Sequence, residues 1–381
     1  MKTFLLSLLL CLPAAAADLS AHLGPILAVG PEGKGNAEAA GAWQKLTATA
    51  DAAALPDILK AMNGAGDISA NWLRGAVSVI AQRSEGKLPL DAIKAVAADT
   101  KNSPAGRALA FDLIHRADKA QWDALMPGLL HDPSAELRRE PISRLLEEGK
   151  TAATTAPLRK ALEAARDEDQ IKAAAEALRE KGETVDLPKH FGFLMDWQVI
   201  GPFDNHGRKG FDTAYPPETK VDLTAALEGI EMKPGAGSTV KWLPFTSSSQ
   251  FGMVDFNKPV GMLKQVAGYA FTVFDSPEER DAEIRLGCKN AWKVWCNDRL
   301  LFARDEYHRG AQIDQYHLPV HLKKGANNIL VKCCQNEQTE TWTVEWEFQM
   351  RVCDATGTAL LSADRKPTPE AALTAKEKAA K

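Results

Sequence analysis

The sequence lacks the short motifs by which many enzymes are recognised. It contains no G-x-x-x-x-G-K-[ST] phosphate-binding loop, no G-x-G-x-x-G nucleotide motif and no G-x-S-x-G elbow around Ser247–Ser249. It also lacks a large charge of one sign, since 46 Lys and Arg residues stand against 50 Asp and Glu residues. This balance gives no general attraction to nucleic acid or anionic lipid. No catalytic residue and no nucleic-acid partner are therefore predicted.

Long apolar runs are missing except near the N-terminus. There, Lys2 precedes an apolar run from Phe4 to Leu12, which is too short to span a bilayer. Small residues at Ala15–Ala17 complete the pattern of a cleavable secretory signal peptide over residues 1–17. We therefore expect a secreted or periplasmic protein with no membrane span.

Cysteine is scarce, and five of the six residues lie in the second half without a C-x-x-C zinc pattern, at Cys288, Cys296, Cys333, Cys334 and Cys353. The sixth, Cys11, lies in the predicted signal peptide. A lipid anchor on it is a weaker alternative, because the bulky Leu10 stands where lipoproteins have a small residue. The odd number leaves two interpretations open, buried thiols throughout or one disulfide with spare thiols. The adjacent Cys333 and Cys334 face opposite sides of a strand and are not expected to pair.

The first half repeats a pattern typical of amphipathic helices. Four segments recur at intervals of 32, 33 and 35 residues, starting at Asp67, Asp99, Asp132 and Asp167. Each carries a basic residue, with apolar residues three and six positions later on one helix face. The basic residues are Arg74, Arg107, Arg139 and Lys172, and the apolar ones are Val77, Ile80, Ala110, Leu113, Ile142, Leu145, Ala175 and Leu178. Because a lone helix pair cannot bury such a face, an α-solenoid of stacked pairs is predicted.

The segment DPSAELRR, which begins at Asp132, resembles the second helix of HEAT repeats. The resemblance implies a HEAT-like helical repeat domain over residues 18–186 that offers an extended surface to a protein partner. Pro141 departs from the pattern and is expected to kink its helix. The repeated basic residues allow two interpretations: hydrogen bonding between neighbouring repeats, which we favour, or a charged binding groove.

The pattern changes to the two-residue period of β-strands after Leu187–Pro188. The predicted strands are Asp196–Asn205, Val240–Phe245, Val266–Phe274, Ala282–Cys288, Ala291–Asn297, Arg299–Arg304, His317–Leu322, Asn327–Cys333 and Thr341–Val352. Between the first two, Pro216–Pro217 is expected to exclude regular structure. Many short strands separated by turns predict an antiparallel β-sandwich, and hence an α+β multidomain protein.

Alternation along the strands predicts which side chains are buried. In the last predicted strand, every second side chain from Trp342 is expected to face the interior. These residues are Trp342, Val344, Trp346, Phe348, Met350 and Val352. In the stretch WKVWCNDRLLF, alternation places Trp292 in the core and Trp295 on an outer face or under a loop. Asn297–Asp298 suits a tight turn with positive φ. The stretch is therefore mainly scaffold, with a two-tryptophan sugar platform as the less favoured alternative.

The stretches NAWKVWCNDRLLFARDE and DQYHLPVHLKKGANNILVKC resemble the core of galactose-binding-like jelly rolls. The shared features are a strand ending in VWxN, a following xLxF and a late hLxxGxNxixVK, here in residues 294–297, 300–302 and 322–332. The resemblance implies a jelly-roll domain over residues 187–361, of the type found in carbohydrate-binding modules and appended to glycoside hydrolases. The Lys-, Ala- and Pro-rich tail over residues 362–381 is expected to be disordered.

The richest polar and aromatic cluster follows the strand RLLFAR. Sugar recognition needs planar hydrogen-bonding groups beside an aromatic face. The residues predicted to bind a ligand are Trp295, Arg304, Asp305, Tyr307, His308, Arg309, Gln312 and Asp314. No cofactor is predicted, although a structural Ca²⁺ in this loop is an alternative. His317 and His321 are expected to face solvent, because residues four apart on a strand lie about 13 Å apart, too far to share an ion.

Three functions fit these features. The favoured one is a non-catalytic secreted binding or scaffolding protein, whose sandwich binds carbohydrate and whose helical repeats bind an envelope or extracellular protein. A glycoside hydrolase or lyase is an alternative that needs two carboxylates about 5–10 Å apart. Its candidates, each more typical of a turn or rim, are Asp204, Asp212, Glu218, Asp305, Glu306 and Asp314. The third is a purely structural protein of an envelope assembly.

Overall fold

A computed structural model of the chain describes residues 14–84, 86–231, 237–308 and 310–374. It has helices in the first half and antiparallel sheets in the second, which makes the protein α+β. The chain divides into two compact units. One comprises the residues up to Glu148 with Glu163–Ala165, and the other comprises Gly149–Leu162 and the residues from Arg166 onward. Every helix among the described residues is too short or too polar to be a membrane span.

Some of the helices begin at a residue whose side chain caps the first turn. Ser103 Oγ and the Asp118 carboxylate each accept a hydrogen bond from a backbone N–H of the helix that follows. In chain order the helices are α1 Ala14–Leu27, α2 Asn36–Thr49, α3 Leu55–Ala61, α4 Asp67–Arg83, α5 Leu90–Ala98, α6 Pro104–Ala117, α7 Lys119–Leu125, α8 Ala135–Thr151, α9 Ala156–Ala164, α10 Glu168–Glu180, α11 Leu187–Phe191, α12 Pro216–Thr219 and α13 Glu370–Thr374. Residues 1–13 of the predicted signal peptide lie outside the described residues.

The four repeated segments form α4, α6, α8 and α10, as their periodicity predicts. Of the eight apolar positions expected on the inner faces, seven are buried and Leu145 is half-buried. Pro141 lies inside α8. The amphipathic pattern is therefore confirmed, whereas the stacking of these helices into a HEAT-like solenoid stays a prediction.

Arg107 shows what one of the repeated basic residues does. Its guanidinium is 3% exposed and donates to both carboxylate oxygens of Asp132, at 2.9 and 2.6 Å. It also donates to the carbonyl of Ala97 at 2.8 Å. Asp132 is the first residue of the next repeated segment, so hydrogen bonding between neighbouring segments is confirmed at this position. Burial alone would raise the pKa of Asp132, but the Arg107 hydrogen bond helps to hold it below its usual value.

The second half forms two larger antiparallel sheets and a two-stranded ribbon. Its strands are β1 Asp196–Asp204, β2 Ala226–Glu228, β3 Thr239–Lys241, β4 Leu243–Thr246, β5 Val254–Asp255, β6 Val266–Ser276, β7 Arg280–Cys288, β8 Ala291–Cys296, β9 Arg299–Arg304, β10 Tyr316–Leu322, β11 Gly325–Gln335 and β12 Glu347–Cys353. The order is β4-β1-β6-β11-β8-β9 in the six-stranded sheet and β10-β7-β12-β5 in the four-stranded sheet, while β2 pairs with β3.

The main core lies between the two larger sheets, because both supply side chains to one buried cluster. From the six-stranded sheet come Val294 and Val331, and from the four-stranded sheet come Ile284 and Val352. Trp292 belongs to the same cluster and is fully buried. Alternation therefore identifies the inner parity of β7, β8 and β11 correctly.

The predicted inward position of Trp342 is wrong. The strand β12 begins only at Glu347, and Thr341–Thr343 forms a single 3₁₀ turn that leaves Trp342 60% exposed. The turn is fixed by the fully buried Thr343, whose hydroxyl lies within hydrogen-bonding distance of the carbonyl oxygens of Gln338 and Glu340. These local hydrogen bonds compete with strand pairing, which alternation alone does not reveal.

A second buried cluster covers the opposite face of the six-stranded sheet. It includes Trp295, in agreement with the expectation that this ring lies away from the main core. The segment that covers this face contains Pro216–Pro217, which form the first turn of α12. The prediction that this pair excludes regular structure is wrong, because proline is tolerated in the first turn of a helix.

The residues after the last strand contact the rest of this unit. Arg365 donates to the carbonyl of Phe193 at 2.7 Å, and Thr368 donates to Asp186 at 2.8 Å. Within residues 362–374, part of the tail expected to be disordered, these side chains thus contact the same unit.

Candidate functional site

A cavity of about 240 Å³ lies on the outer face of the six-stranded sheet, and we call it the Trp295 pocket. Its floor is a cross-strand row, in which Phe271 of β6 pairs with Leu330 of β11, and Leu330 pairs with Trp295 of β8. Each of these side chains is less than a tenth exposed. The other lining residues are Pro217, Glu218, Thr219, Lys220, Val221, Asp298 and Asn328.

Glu218 is placed at the pocket by α12. Its Oε1 accepts hydrogen bonds from Tyr269 Oη at 2.5 Å and from Lys332 Nζ at 2.7 Å. Its Oε2 makes no hydrogen bond within the described part of the chain, and 13% of the side chain stays exposed. One carboxylate oxygen is therefore fixed by the protein while the other remains available to a ligand.

Lys332 is fully buried, and each proton of its ammonium group has an acceptor. Besides Glu218, Nζ donates to the carbonyls of Thr213 at 2.8 Å and Phe211 at 3.2 Å. Burial lowers the pKa of Lys332, and the hydrogen bond with Glu218 opposes that shift. Burial, reinforced by Glu218, raises the pKa of Tyr269, so its hydroxyl keeps the proton that it donates. This cluster fixes the covering segment onto the sheet.

Asp298 reaches the pocket from the turn between β8 and β9. Asn297 and Asp298 have φ values of 50° and 64°, as the sequence predicts for a tight hairpin. The turn is held to β11, since Asn297 N donates to Asn328 O at 2.9 Å and Asn328 N donates to Asn297 Oδ1 at 3.1 Å. A second carboxylate thus stands on a rigid support beside the aromatic floor.

The pocket combines the features that a small polyhydroxylated ligand needs. An apolar floor suits the C–H face of a sugar ring, and carboxylate and amide groups at the walls suit its hydroxyls. Among the described residues that line the pocket, Lys220 is basic and Glu218 and Asp298 are acidic, with Glu218 paired to the buried Lys332.

Trp295 is the predicted ligand-binding residue that lines this pocket. Arg304 and Asp305 lie farther along the chain, at and after the end of β9, and are not among its lining residues. Arg304 forms an ion pair with Glu306 at 2.8 Å. Burial, with a contribution from the nearby Asp212, raises the pKa of Asp305.

Tyr307 and His308 form a second aromatic cluster with Trp342. His308 contacts the Trp342 ring edge-to-face at 5.3 Å, and its Nε2 lies 2.8 Å from Asn336 Oδ1. The Tyr307 hydroxyl accepts from Asn205 Nδ2 at 3.2 Å. Burial, the largest cause, raises the pKa of Tyr307 well above its ordinary value. The exposed tryptophan joins two of the predicted residues here, outside the Trp295 pocket.

The last predicted residues support the scaffold. Asp314 accepts from Arg351 Nε at 2.6 Å and from Arg285 Nη1 at 2.8 Å. The backbone of Gln312 packs against Gly287, where an added Cβ would lie 2.2 Å from its carbonyl oxygen. Arg309 lies outside the described residues.

No group of three or more His, Cys, Asp or Glu side chains within the described ranges is arranged to hold a metal ion. His317 and His321 are exposed on β10, as expected. His321 Nδ1 lies 2.7 Å from Asp281 and Nε2 lies 2.9 Å from Glu279, so this side chain has carboxylate partners. These hydrogen bonds, with Asp281 contributing most, raise the pKa of His321.

The sequence predicts a loop position for Glu218 and a turn position for Asp298, but it does not predict that the two residues line one pocket. The link between Glu218 and Lys332 spans 114 positions of the chain. One signal was available, because Lys332 interrupts an otherwise apolar strand and a buried lysine requires partners.

Comparisons with known proteins give weak structural likenesses of low coverage. No family model matches the chain, and no curated protein matches it. A family 35 carbohydrate-binding module from Clostridium thermocellum is 13% identical over 23% of this chain and 72% of the module, with a TM-score of 0.17.

Two glycosidase structures show similar values. A β-glucosidase from Kluyveromyces marxianus is 18% identical, with a TM-score of 0.20, over 24% of this chain and 11% of that enzyme. A β-glucuronidase from Ruminococcus gnavus is 12% identical, with a TM-score of 0.24, over 42% of this chain and 28% of the enzyme. This chain therefore spans only a small part of either enzyme's length.

Proposed function

We propose that the β-rich unit binds carbohydrate in the Trp295 pocket and that the protein is a non-catalytic binding or scaffolding protein. The observation that carries the proposal is the convergence of Glu218 and Asp298 on the row formed by Phe271, Leu330 and Trp295. An apolar floor with a few oriented polar groups is the usual composition of a small-molecule site.

Charge at the pocket narrows the ligand class. Although Glu218 is paired with the buried Lys332, its second oxygen and the Asp298 carboxylate lie at the pocket against Lys220, so the carboxylate of an acidic sugar would meet other carboxylate oxygens there. Neutral sugars and amino sugars fit, since hydroxyl and ammonium groups donate to carboxylates.

The proposal extends to the rest of the chain. We regard the β-rich unit as a jelly roll and the repeated helices as a HEAT-like solenoid that binds a protein. Export through the predicted signal peptide places the protein outside the cytoplasm, where glycans and envelope proteins are found. The buried core between the two sheets supports the jelly-roll assignment, and the buried inner faces of the helices support the repeat assignment.

A glycan array probed with the full chain, followed by calorimetry on the hits, tests the proposal. We expect saturable binding of a neutral or amino sugar. Asp298→Asn removes a charge but keeps a residue suited to positive φ. Trp295→Phe keeps an aromatic ring in the floor but makes that ring smaller. Each should weaken binding about tenfold, the equivalent of about 1.4 kcal/mol.

Matched controls separate the pocket from other surfaces. Trp342→Ala removes an exposed tryptophan and Asp305→Asn removes a loop carboxylate, and neither should change the affinity. Unchanged affinity in Asp298→Asn and Trp295→Phe would refute this site. Absence of any bound glycan would favour the purely structural alternative. If the wild-type chain releases sugar products from a glycan, and if Glu218→Gln and Asp298→Asn each abolish that release, the hydrolase alternative is favoured.

A further inference from the structure

Cys288 and Cys333 face each other across the main core. Cys288 ends β7 in the four-stranded sheet, and Cys333 lies in β11 of the six-stranded sheet. Their Sγ atoms are 3.9 Å apart, and the residues are 2% and 0% exposed. The gap between the sulfurs is about 2 Å longer than an S–S bond of about 2.05 Å. The two sulfurs are therefore in contact between the two sheets.

The remaining described cysteines are not arranged in this way. Cys334 belongs to the cluster on the opposite face of β11 and points away from the main core. Cys296 and Cys353 are buried, but neither has its sulfur in contact with another sulfur within the described ranges. The one pair in contact is thus the pair on opposite sheets.

We propose that Cys288 and Cys333 form a disulfide that links the two sheets. The oxidant is a protein or low-molecular-weight disulfide. One cysteine thiolate attacks it, forms a mixed disulfide and releases one thiol. The second cysteine, as a thiolate, then displaces the other thiol and closes the Cys288–Cys333 bond. Two protons leave the cysteines and two thiols are produced, so the oxidant is reduced by two electrons.

Burial determines when this exchange takes place. The closed core excludes oxidant, and burial, reinforced by Cys288, raises the pKa of the Cys333 thiol well above its ordinary value. A buried neutral thiol is a poor nucleophile, so the bond forms before the sheets close. Once formed, the same burial protects it from reducing thiols.

Refolding of the full chain from denaturant, with and without a glutathione disulfide buffer, tests the proposal. After unfolding and alkylation, the oxidised sample should contain two fewer alkylated cysteines than the reduced one. Tryptic digestion should link the peptide LGCK, which contains Cys288, to the peptide that begins at Cys333 and also contains Cys334. Closing a loop of this length should raise the unfolding midpoint by about 5–10 °C.

Adjacent cysteines supply the matched control. Cys333→Ala and Cys334→Ala both truncate a fully buried side chain, but only the former should abolish the linked peptide and the redox-dependent rise in midpoint. The proposal is overturned if oxidised protein contains no linked LGCK peptide. It is also overturned if the link survives in Cys333→Ala, or if oxidation lowers the midpoint of the wild-type chain.

Discussion

Lys332 Nζ lies 2.7 Å from Glu218 Oε1, with the lysine fully buried in the sheet and the glutamate at the edge of the Trp295 pocket. An ion pair in such a position stabilises the fold little, because the attraction must offset the desolvation of both charges. Its effect on geometry is larger. The lysine fixes one oxygen of Glu218 and, through the carbonyl of Thr213, holds the segment that forms the pocket wall.

Removing this lysine should be strongly destabilising. We expect Lys332→Met to lower the free energy of unfolding by about 3–5 kcal/mol, because Glu218 then keeps a partly buried charge without its cation. Urea unfolding followed by tryptophan fluorescence measures the change. The exposed Lys324 is the control, and Lys324→Met should change stability by less than about 0.5 kcal/mol.

The double variant Lys332→Met with Glu218→Met distinguishes an unpaired charge from simple loss of packing. Because both charges are removed, it should be more stable than Lys332→Met alone. A double variant as unstable as the single variant would show that the unpaired carboxylate is not the cause.

Trp342 and Trp346 provide a second comparison of one residue type in two environments. Trp346 is fully buried, stacks on Phe256 with ring centroids 4.8 Å apart and donates to the carbonyl of Cys333 at 3.0 Å. We expect Trp346→Ala to lower the free energy of unfolding by about 3–5 kcal/mol. Trp342→Ala should cost less than about 1 kcal/mol, since the ring is mostly exposed. Similar losses in chemical denaturation would contradict the exposed position of Trp342.

These tryptophans also show what sequence periodicity can predict. Alternation identified the inner faces of β7, β8 and β11 because each strand lies between two neighbouring strands and keeps a regular pleat, so that alternate side chains enter the main core. It failed at Trp342, where the side chain of Thr343 hydrogen-bonds to nearby carbonyls and ends the strand pattern. Apolar spacing likewise identified helix faces, since burial there depends on residues three and six positions apart.

The candidate site was only partly predictable. Trp295 was identified because a local pattern contains it, but the pocket depends on contacts between distant parts of the chain. Glu218 meets Lys332 and Tyr269 only after the segment that contains it folds over the sheet. Asp314 was predicted to bind a ligand on composition alone, and its two arginine partners come from β7 and β12.

Acid should weaken the Asp314 cluster. Burial tends to raise the pKa of Asp314, but Arg351 and Arg285 outweigh it and hold the pKa below its usual value. The unfolded state therefore binds the proton more tightly, and the stabilisation is present above about pH 4 and lost as the pH falls through the folded-state pKa. Asp314→Asn should cost roughly 3–5 kcal/mol at pH 7, because the buried Arg351 loses its carboxylate.

Urea unfolding of wild type and Asp314→Asn between pH 7 and pH 3 measures this effect. The difference between the two proteins should shrink below about pH 4, where the Asp314 carboxyl of the unfolded wild type binds a proton that the folded state does not yet bind. The exposed Asp212 is a control, and Asp212→Asn should track the wild type throughout. A difference that stays constant to pH 3 would contradict a charge-dependent contribution.

Glu347 should give stability the opposite dependence on pH. Burial, together with the nearby carboxylates Glu345 and Asp255, raises its pKa to about 7, while Lys289 and Lys258 oppose the shift. The folded state therefore binds a proton that the unfolded state has released between about pH 4.5 and pH 7. This stabilisation is fully present below about pH 4.5 and is lost as the pH rises through 7.

The variant Glu347→Gln mimics the protonated side chain and should remove this dependence. The free energy of unfolding of wild type, relative to Glu347→Gln, should fall by about 3 kcal/mol between pH 4.5 and pH 8. Glu228→Gln replaces an exposed glutamate and should show no such trend. If wild type and Glu347→Gln remain parallel over this range, Glu347 titrates like an exposed carboxyl and the repulsion from Glu345 and Asp255 is relieved by solvent.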